Sequence, residues 1–417
     1  MDGVGPDRRS RRNHWWLREE PNTFGTDEFI QWCRTLGAAP YLSVNVSSGG
    51  VTEALRWLEY CNAPASSGYG TRRAANGNPE PHGVEWWGIG SENWGCGGLF
   101  TPDEYAHQFR RHTVYFKRLG LTTNLQLVAA GHNAPGFNLA VLQDVAPGLI
   151  YLDHVSLHRY FRRGRSTEFS DAEHLDLMLD LAPFEDLITE SLQAIDAVEP
   201  IRRRQRSFGP LRPKPIGLVI DEWGVWHSDA QLSDGFSQTG ALREALFAAG
   251  ALNLFHKYVP RIAMTNIAQV VNCLHSLLNT DAGSLVLTPT FHVYEMYQPH
   301  YGSMSVTSSI ESAPTLHQRE RSGPSVTVSA SKSASAALVT LVNMSPDQAN
   351  SVDLSLRGAA AGSVTARILT AGSARAANSP AEPNAVAPAP ASVTIDNGSL
   401  KFDLPAHSVL ALRATLA

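Results

Sequence analysis

Short apolar runs that each end near a polar residue recur along this chain, and a helical stretch follows most of them. The runs cover residues 40–46, 84–92, 125–131, 151–158, 216–224 and 262–271. Their Val, Ile and Trp content and their length predict buried strands. Helical patterns occupy residues 26–37, 51–61, 101–120, 172–198, 240–258 and 290–301. Alternation at this spacing argues for a parallel sheet with helical crossovers. Two closures satisfy it, a (β/α)8 barrel and an open doubly wound sheet. Polar residues recur at the strand ends, at Asn45, Glu92, His158, Glu222 and Gln269. A barrel gathers all its strand ends around one mouth, so the pattern favours the barrel. No glycine-rich phosphate loop opens a helix, which counts against a nucleotide-binding open sheet.

Local signals place the helix ends. Thr26 is read as the cap of the first helix, with Asp27 and Glu28 at its positive end and Gly37 as its stop. Phe29, Ile30, Cys33 and Leu36 give that helix its apolar stripe. Thr101, Pro102 and Glu104 form a capping box with proline in the first turn. The Gly/Ser/Asn-rich stretch before residue 84 reads as a loop. Asn13 to Leu17 is a short aromatic run, read as a further strand. From about Gly302 the pattern changes to alternating, β-branched runs at 325–329, 337–342, 364–369, 393–395 and 409–412, separated by turn residues. These predict an antiparallel β-sandwich. The expected domains are therefore a catalytic barrel over 1–302 and a sandwich over 303–417, with an irregular surface loop over 371–392.

The 417 residues, 43% of them hydrophobic, suffice for a large core. A formal net charge of -5 gives no broad field toward nucleic acid or an anionic membrane, and neither is expected as a partner. The basic cluster Arg202, Arg203, Arg204 and Arg206, ahead of Pro213 and Pro215, is read as a solvated linker. Cys33, Cys61, Cys96 and Cys273 lack metal-ligand spacing, so no metal or other cofactor is expected. Thiols of this kind fit a reducing compartment, and the expected location is cytoplasmic. The opening residues 1–6 have loop composition and carry no signal-peptide pattern, and an upstream segment is expected.

Two glutamates carry the chemistry. Glu92 lies where an apolar strand breaks into Gly95-Cys96-Gly97-Gly98, and Glu222 ends a second strand of the same kind. A lone glutamate after a strand is usually a solvated loop residue. Two of them, each followed closely by a tryptophan, point instead to one pocket. Cleavage of a glycosidic bond with retention needs two carboxyl groups roughly 5 Å apart. Their proton affinities must differ. Trp86, Trp87 and Trp94 surround Glu92 in sequence, and an apolar setting would raise its pKa and suit the acid/base. Glu222 is then the nucleophile, held ionised by donors such as Tyr160 and Gln269. Trp16, Trp94 and Trp226 are candidates for stacking on sugar rings.

These motifs resemble glycoside hydrolase family 51, the retaining α-L-arabinofuranosidases, over nearly the whole chain. The segments NTFGTDEF (22–29), WGIGSENWGCGG (87–98), SLHRY (156–160) and DEWGVW (221–226) carry the resemblance. It implies a (β/α)8 barrel with a β-sandwich built partly on the C-terminal segment. It also implies Glu92 as acid/base and Glu222 as nucleophile. His158, Tyr160 and Gln269 match sugar-contacting positions, and Trp16 and Trp226 match walls of the pocket. The implied substrate is an arabinose-containing oligosaccharide or polysaccharide, attacked at its non-reducing end, by a protein that is a homo-oligomer in the full-length family. Two departures stand out. The family usually has Asn before its acid/base glutamate, where this chain has Ser91, a shorter side chain with one donor. Family members also carry an upstream strand, Arg-x-Pro-Gly-Gly-Asn, and this chain begins after that point. The expectation is a barrel lacking its first strand, with seven strands and an open seam. Competing readings are a β-xylosidase or endoglucanase on the same fold, or a catalytically impaired homologue.

Overall fold

The computed structural model describes residues 8–13, 15–118, 121, 124–146, 151–204, 215–281 and 283–416. The chain begins with a hairpin, β1 (Arg11–Asn13) against β2 (Arg18–Glu20). Then follow α1 (Thr26–Thr35), β3 (Tyr41–Val44), α2 (Val51–Asn62), α3 (Gly68–Ala75), β4 (Trp86–Ile89), α4 (Pro102–Arg118), β5 (Gln126–Ala129), α5 (Pro135–Asp144) and β6 (His154–Phe161). Next come α6 (Asp171–Met178), α7 (Leu181–Arg204), β7 (Gly217–Val225), α8 (Leu242–Lys257) and β8 (Ile262–Ile267). A hairpin of β9 (Leu278–Asp281) and β10 (Ser284–Leu287) leads to α9 (Pro289–Tyr297). The strands β3-β4-β5-β6-β7-β8 form one sheet in chain order. The pairs β3–β4, β4–β5 and β5–β6 are parallel. This is the strand-helix alternation of a (β/α)8 barrel.

Six strands enter that sheet among the described residues, not the seven expected. Of the aromatic run at 13–17, Asn13 ends β1 and Trp15 to Leu17 form the turn of the first hairpin; His14 lies outside the described residues. The Asn13 side-chain oxygen accepts from both Trp15 N and Trp16 N at 3.0 Å, which folds the run back on itself. Leu17 then takes a left-handed φ of 55°. The run was read as a strand from its aromatic content, and the asparagine turn overrode that content. Trp15 and Trp16 stay exposed, at 58% and 42%.

The chain divides into two compact units, Met1–His158 with Leu187–Ile220, and Arg159–Asp186 with Asp221–Ala417. In the first unit, Trp87 of β4 is fully buried, edge-on to Trp57 of α2 and to Phe116 of α4. Leu58, Tyr105 and Phe109 complete that layer between strand and helices. The cap of α1 lies one residue before the expected Thr26. Gly25 is the N-cap, and the Glu28 carboxylate accepts its N–H at 3.0 Å. The capping box at Thr101 forms as expected, with Glu104 accepting the Thr101 N–H at 2.9 Å. The stretch at 68–75, read as a loop, is the helix α3. Its Arg73 is fully buried and donates to the carbonyls of Tyr60, Ala63, Asn78 and Pro79. Tertiary hydrogen bonds therefore outweigh the low helix propensity of its glycines. Arg202 to Arg204 form the last turn of α7. Arg202 is buried and donates to the Leu152 carbonyl at 2.7 Å, so it is not part of a solvated linker. Gln205, Arg206 and Pro213 lie outside the described residues.

In the second unit, α8 is largely apolar and is buried at every residue from Leu242 to Phe255, including Arg243, Glu244 and Asn253. A helix of that kind belongs inside a core. The antiparallel strands begin at β11 (Met304–Val306). β12 (Thr315–Gln318) and β13 (Arg321–Pro324) form a hairpin of their own. β14 (Val326–Lys332), β15 (Ala336–Asn343), β16 (Asn350–Ser355), β17 (Ala361–Leu369), β18 (Ala389–Pro390), β19 (Thr394–Asp396), β20 (Ser399–Leu404) and β21 (Ser408–Leu416) complete the chain. They make a six-stranded sheet, β11-β14-β15-β21-β17-β18, and a three-stranded one, β16-β20-β19. Val339, Leu341, Leu410 and Leu412 of the larger sheet share one buried cluster with Leu400, Phe402 and Leu404 of the smaller. Each such side chain contributes roughly 1.5–3 kcal/mol by leaving water. The expected sandwich is thus present. β16 and β20 were not read from the sequence, because their outer faces carry Ser, Asp and Lys and Asn350 interrupts the apolar row of β16.

Candidate active site

Glu92 belongs to the first unit. β4 runs out at Ile89, and Gly90 turns the chain with a φ of 86°. Ser91 follows, exposed, and Glu92 itself takes a φ of 47°. A non-glycine residue in the left-handed region costs of order 1–3 kcal/mol and persists where its surroundings hold it. Here the Glu92 carbonyl accepts the N–H groups of Gly95 and Gly97, at 2.8 and 3.0 Å. A Cβ on Gly97 would stand 1.9 Å from the Ser91 carbonyl oxygen, so only glycine closes this turn.

Both oxygens of the Glu92 carboxylate are engaged. His158 Nδ1, from β6, donates to Oε1 at 3.1 Å, and the Cys96 thiol donates to Oε2 at 2.9 Å. The His158 bond holds the Glu92 carboxyl below its usual range; burial opposes it, and Cys96 adds to it. The direction is the reverse of the one expected from the neighbouring tryptophans. Those rings point elsewhere. Trp87 is in the core, Trp86 stacks on His154 at 4.8 Å, and Trp94 meets His132 edge-on at 4.2 Å. The Trp94 indole N–H donates to the Gly131 carbonyl at 3.0 Å. His132, just beyond β5, is a titratable group of this site that the sequence reading missed. Burial lowers its pKa, and the Glu92 charge works against that shift. Its place at a strand end was the signal that could have found it.

Glu222 belongs to the second unit and lies within β7. The Tyr160 hydroxyl, from β6, donates to Glu222 Oε1 at 2.5 Å. Of the two donors expected for Glu222, Tyr160 is the one that bonds it. Gln269 lies exposed just beyond β8, and its amide side chain makes no hydrogen bond among the described residues. Trp226 follows the end of β7, edge-on to Tyr160 and to Phe236, with centroids 5.6 and 5.0 Å away. The Arg162 guanidinium lies over the Trp226 ring, 4.0 Å from its centroid. Phe236 and Arg162 were not singled out in the sequence; both lie in loops, where no periodicity marks a contact. Trp16 sits in the first hairpin.

A parallel sheet of alternating strands and helices, a β-sandwich after it, and carboxylates held by hydrogen bonds just beyond β4 and within β7 fit a hydrolase of the barrel class. Known proteins agree. A model of the α-L-arabinofuranosidase 1 domain matches residues 1–171, and a model of the α-L-arabinofuranosidase C-terminal domain matches 221–408. An intracellular exo-α-L-arabinofuranosidase of Bacteroides ovatus is 32% identical over 99% of this chain and 80% of its own. The solved GH51 arabinofuranosidase of Xanthomonas axonopodis pv. citri is 30% identical, with a TM-score of 0.88 over 99% of this chain and 83% of its own. The α-L-arabinofuranosidase of Thermotoga maritima, solved as an arabinose complex, is 28% identical. Its TM-score is 0.84 over 100% of this chain and 84% of its own. The chain belongs to the α-L-arabinofuranosidases of glycoside hydrolase family 51. Among the described residues no helix is long and apolar enough to cross a membrane.

Proposed function

We propose that this protein releases terminal α-L-arabinofuranosyl residues from arabinose-containing oligosaccharides or polysaccharides, with retention, through Glu92 and Glu222. In the first step a Glu222 carboxylate oxygen attacks the anomeric carbon. The glycosidic bond breaks, and Glu92 gives its proton to the leaving oxygen. In the second step water attacks the same carbon, Glu92 takes the proton of that water, and the bond to Glu222 breaks. The observation that carries this reading is the way the two carboxylates are held. Glu222 is bonded by a tyrosine hydroxyl, which favours its ionised form and suits a nucleophile. Glu92, on a strained turn at the end of β4, is held in its charged form by a histidine and a thiol, which suits the base it must be in the second step.

Ser91, His158, Tyr160, Trp226 and Gln269 are read as sugar contacts. The barrel at 1–302 would carry the reaction, and the sandwich at 303–417 would support it. The cytoplasm is the proposed place of action, supported by the intracellular relative and by four cysteines that form no disulfide. An aryl α-L-arabinofuranoside, an aryl β-xyloside and a soluble glucan separate the competing activities. The arabinofuranoside is expected to be the one hydrolysed, with its product first formed in the configuration of the substrate. Inversion at the anomeric carbon, or turnover of xyloside or glucan in its place, would overturn the proposal.

A further inference from the structure

The motif Gly95-Cys96-Gly97-Gly98 does more than end a strand. The turn closed by Gly95 N and Gly97 N on the Glu92 carbonyl returns the chain after four residues, so Cys96 faces the side chain of Glu92. Cys96 is exposed, and its thiol reaches Oε2 of Glu92 at 2.9 Å. The flanking glycines make this return feasible, since a Cβ at 97 would collide with the Ser91 carbonyl. Oε1 is already taken by His158.

We propose that Cys96 is a positioning residue for the acid/base glutamate, with its thiol holding Oε2 in place until the glycosidic oxygen of the substrate displaces it. The inference rests on the assignment of Glu92 as acid/base. A thiol is a weak donor. It can order a carboxylate without binding it so firmly that proton transfer is obstructed. A serine hydroxyl can make the same bond from this position, and an alkyl group cannot hold at all. Within its own unit, the titratable groups facing Glu92 are His158 from β6, His132 from beyond β5, and Cys96 from its own turn. Each of the three favours the charged carboxylate, so removing the thiol moves the Glu92 titration upward.

The test compares Cys96→Ala and Cys96→Ser with the wild type in the full chain. Cys96→Ala is expected to lower kcat on an aryl arabinofuranoside about two- to tenfold with KM little changed. It is also expected to move the basic limb of kcat/KM up by about half a pH unit, because Glu92 must be protonated to act as the acid. Cys96→Ser is expected to restore both. Carbon-13 NMR of the Glu92 carboxyl reads the same upward shift in Cys96→Ala without any turnover. A Glu92 titration and a basic limb that ignore Cys96→Ala would refute the positioning role while leaving the glycosidase reading intact. Equal shifts in both variants would assign Cys96 to the shape of the turn and refute it too. Absence of arabinofuranosidase turnover in the wild type would instead overturn the reading beneath it.

Discussion

Glu244 offers the sharpest test of how the strand that carries Glu222 is held. Its side chain is fully buried, as are those of His227 and Arg243. His227 Nε2 lies 2.7 Å from Glu244 Oε1, and Arg243 Nε donates to the same oxygen at 3.2 Å. Arg243 also donates to the Arg165 carbonyl at 2.6 Å and covers the Phe169 ring at 3.6 Å. Gln238 continues this cluster to the end of β7, accepting from His227 N and donating to the Val225 carbonyl. Burial pushes the Glu244 carboxyl upward, but His227 and Arg243 outweigh it and hold it below its ordinary range. Glu244→Ala leaves a buried guanidinium without its carboxylate. The cost of that is about 3–5 kcal/mol, a large share of the roughly 5–15 kcal/mol by which a domain is stable. For a chain of this length it corresponds to a fall in Tm of about 4–6 °C. Replacing both partners, as Arg243→Met with Glu244→Leu, should cost less than the single change, because no charge is left stranded. Calorimetry at pH 7 reads both. A single mutant melting within about 1 °C of the wild type, well inside the fall expected, would refute the reasoning, as would a double mutant that melts lowest.

Burial pushes His174 and His275 down to about 4, so both are neutral in the native state at pH 7. As the pH falls below 6.5 the unfolded chain takes up their protons first. The stability they support is full above that pH and is lost toward pH 4, at up to about 3 kcal/mol each. Urea midpoints at pH 7 and pH 5 should therefore differ clearly, and equal midpoints would contradict the burial of these rings. At the site, Ser91→Asn is expected to raise kcat on an aryl arabinofuranoside, since a longer amide can reach a sugar hydroxyl that a serine meets through water. Unchanged turnover would count against that contact. Gly97→Ala should cost most of the activity through the collision with the Ser91 carbonyl, visible as a drop in kcat in a protein that still folds.

Much of the fold was legible because period and punctuation agreed. The strands β3 to β8 and most of their helices follow apolar runs and caps that the sequence displays openly. Where reading failed, contacts distant in sequence had overridden local pattern. Asn13 turned an aromatic run into a hairpin end. The guanidinium of Arg73 organised α3 by bonding four carbonyls from its surroundings. Arg202 looked like part of a basic linker and is buried at a helix end. The pKa of Glu92 failed for a related reason. Tryptophans near it in sequence alternate in direction along the strand and turn, so they do not line the carboxylate; a histidine 66 residues away does. Tyr160 was legible as a donor to Glu222, because it stands with His158 near the end of an apolar strand. Cys96 and His132 were harder to see, since only the closed turn and the end of β5 bring them to Glu92.

The central claim is that Glu222 forms the covalent bond to the sugar. Incubation with a 2-fluoro-arabinofuranosyl substrate bearing a good leaving group, then digestion and mass spectrometry, tests it directly. The expected result is one fluoro-arabinosyl adduct on the peptide that contains Glu222, absent from Glu222→Ala and still formed by Glu92→Ala. An adduct on another residue, or steady hydrolysis by Glu222→Ala, would contradict the account.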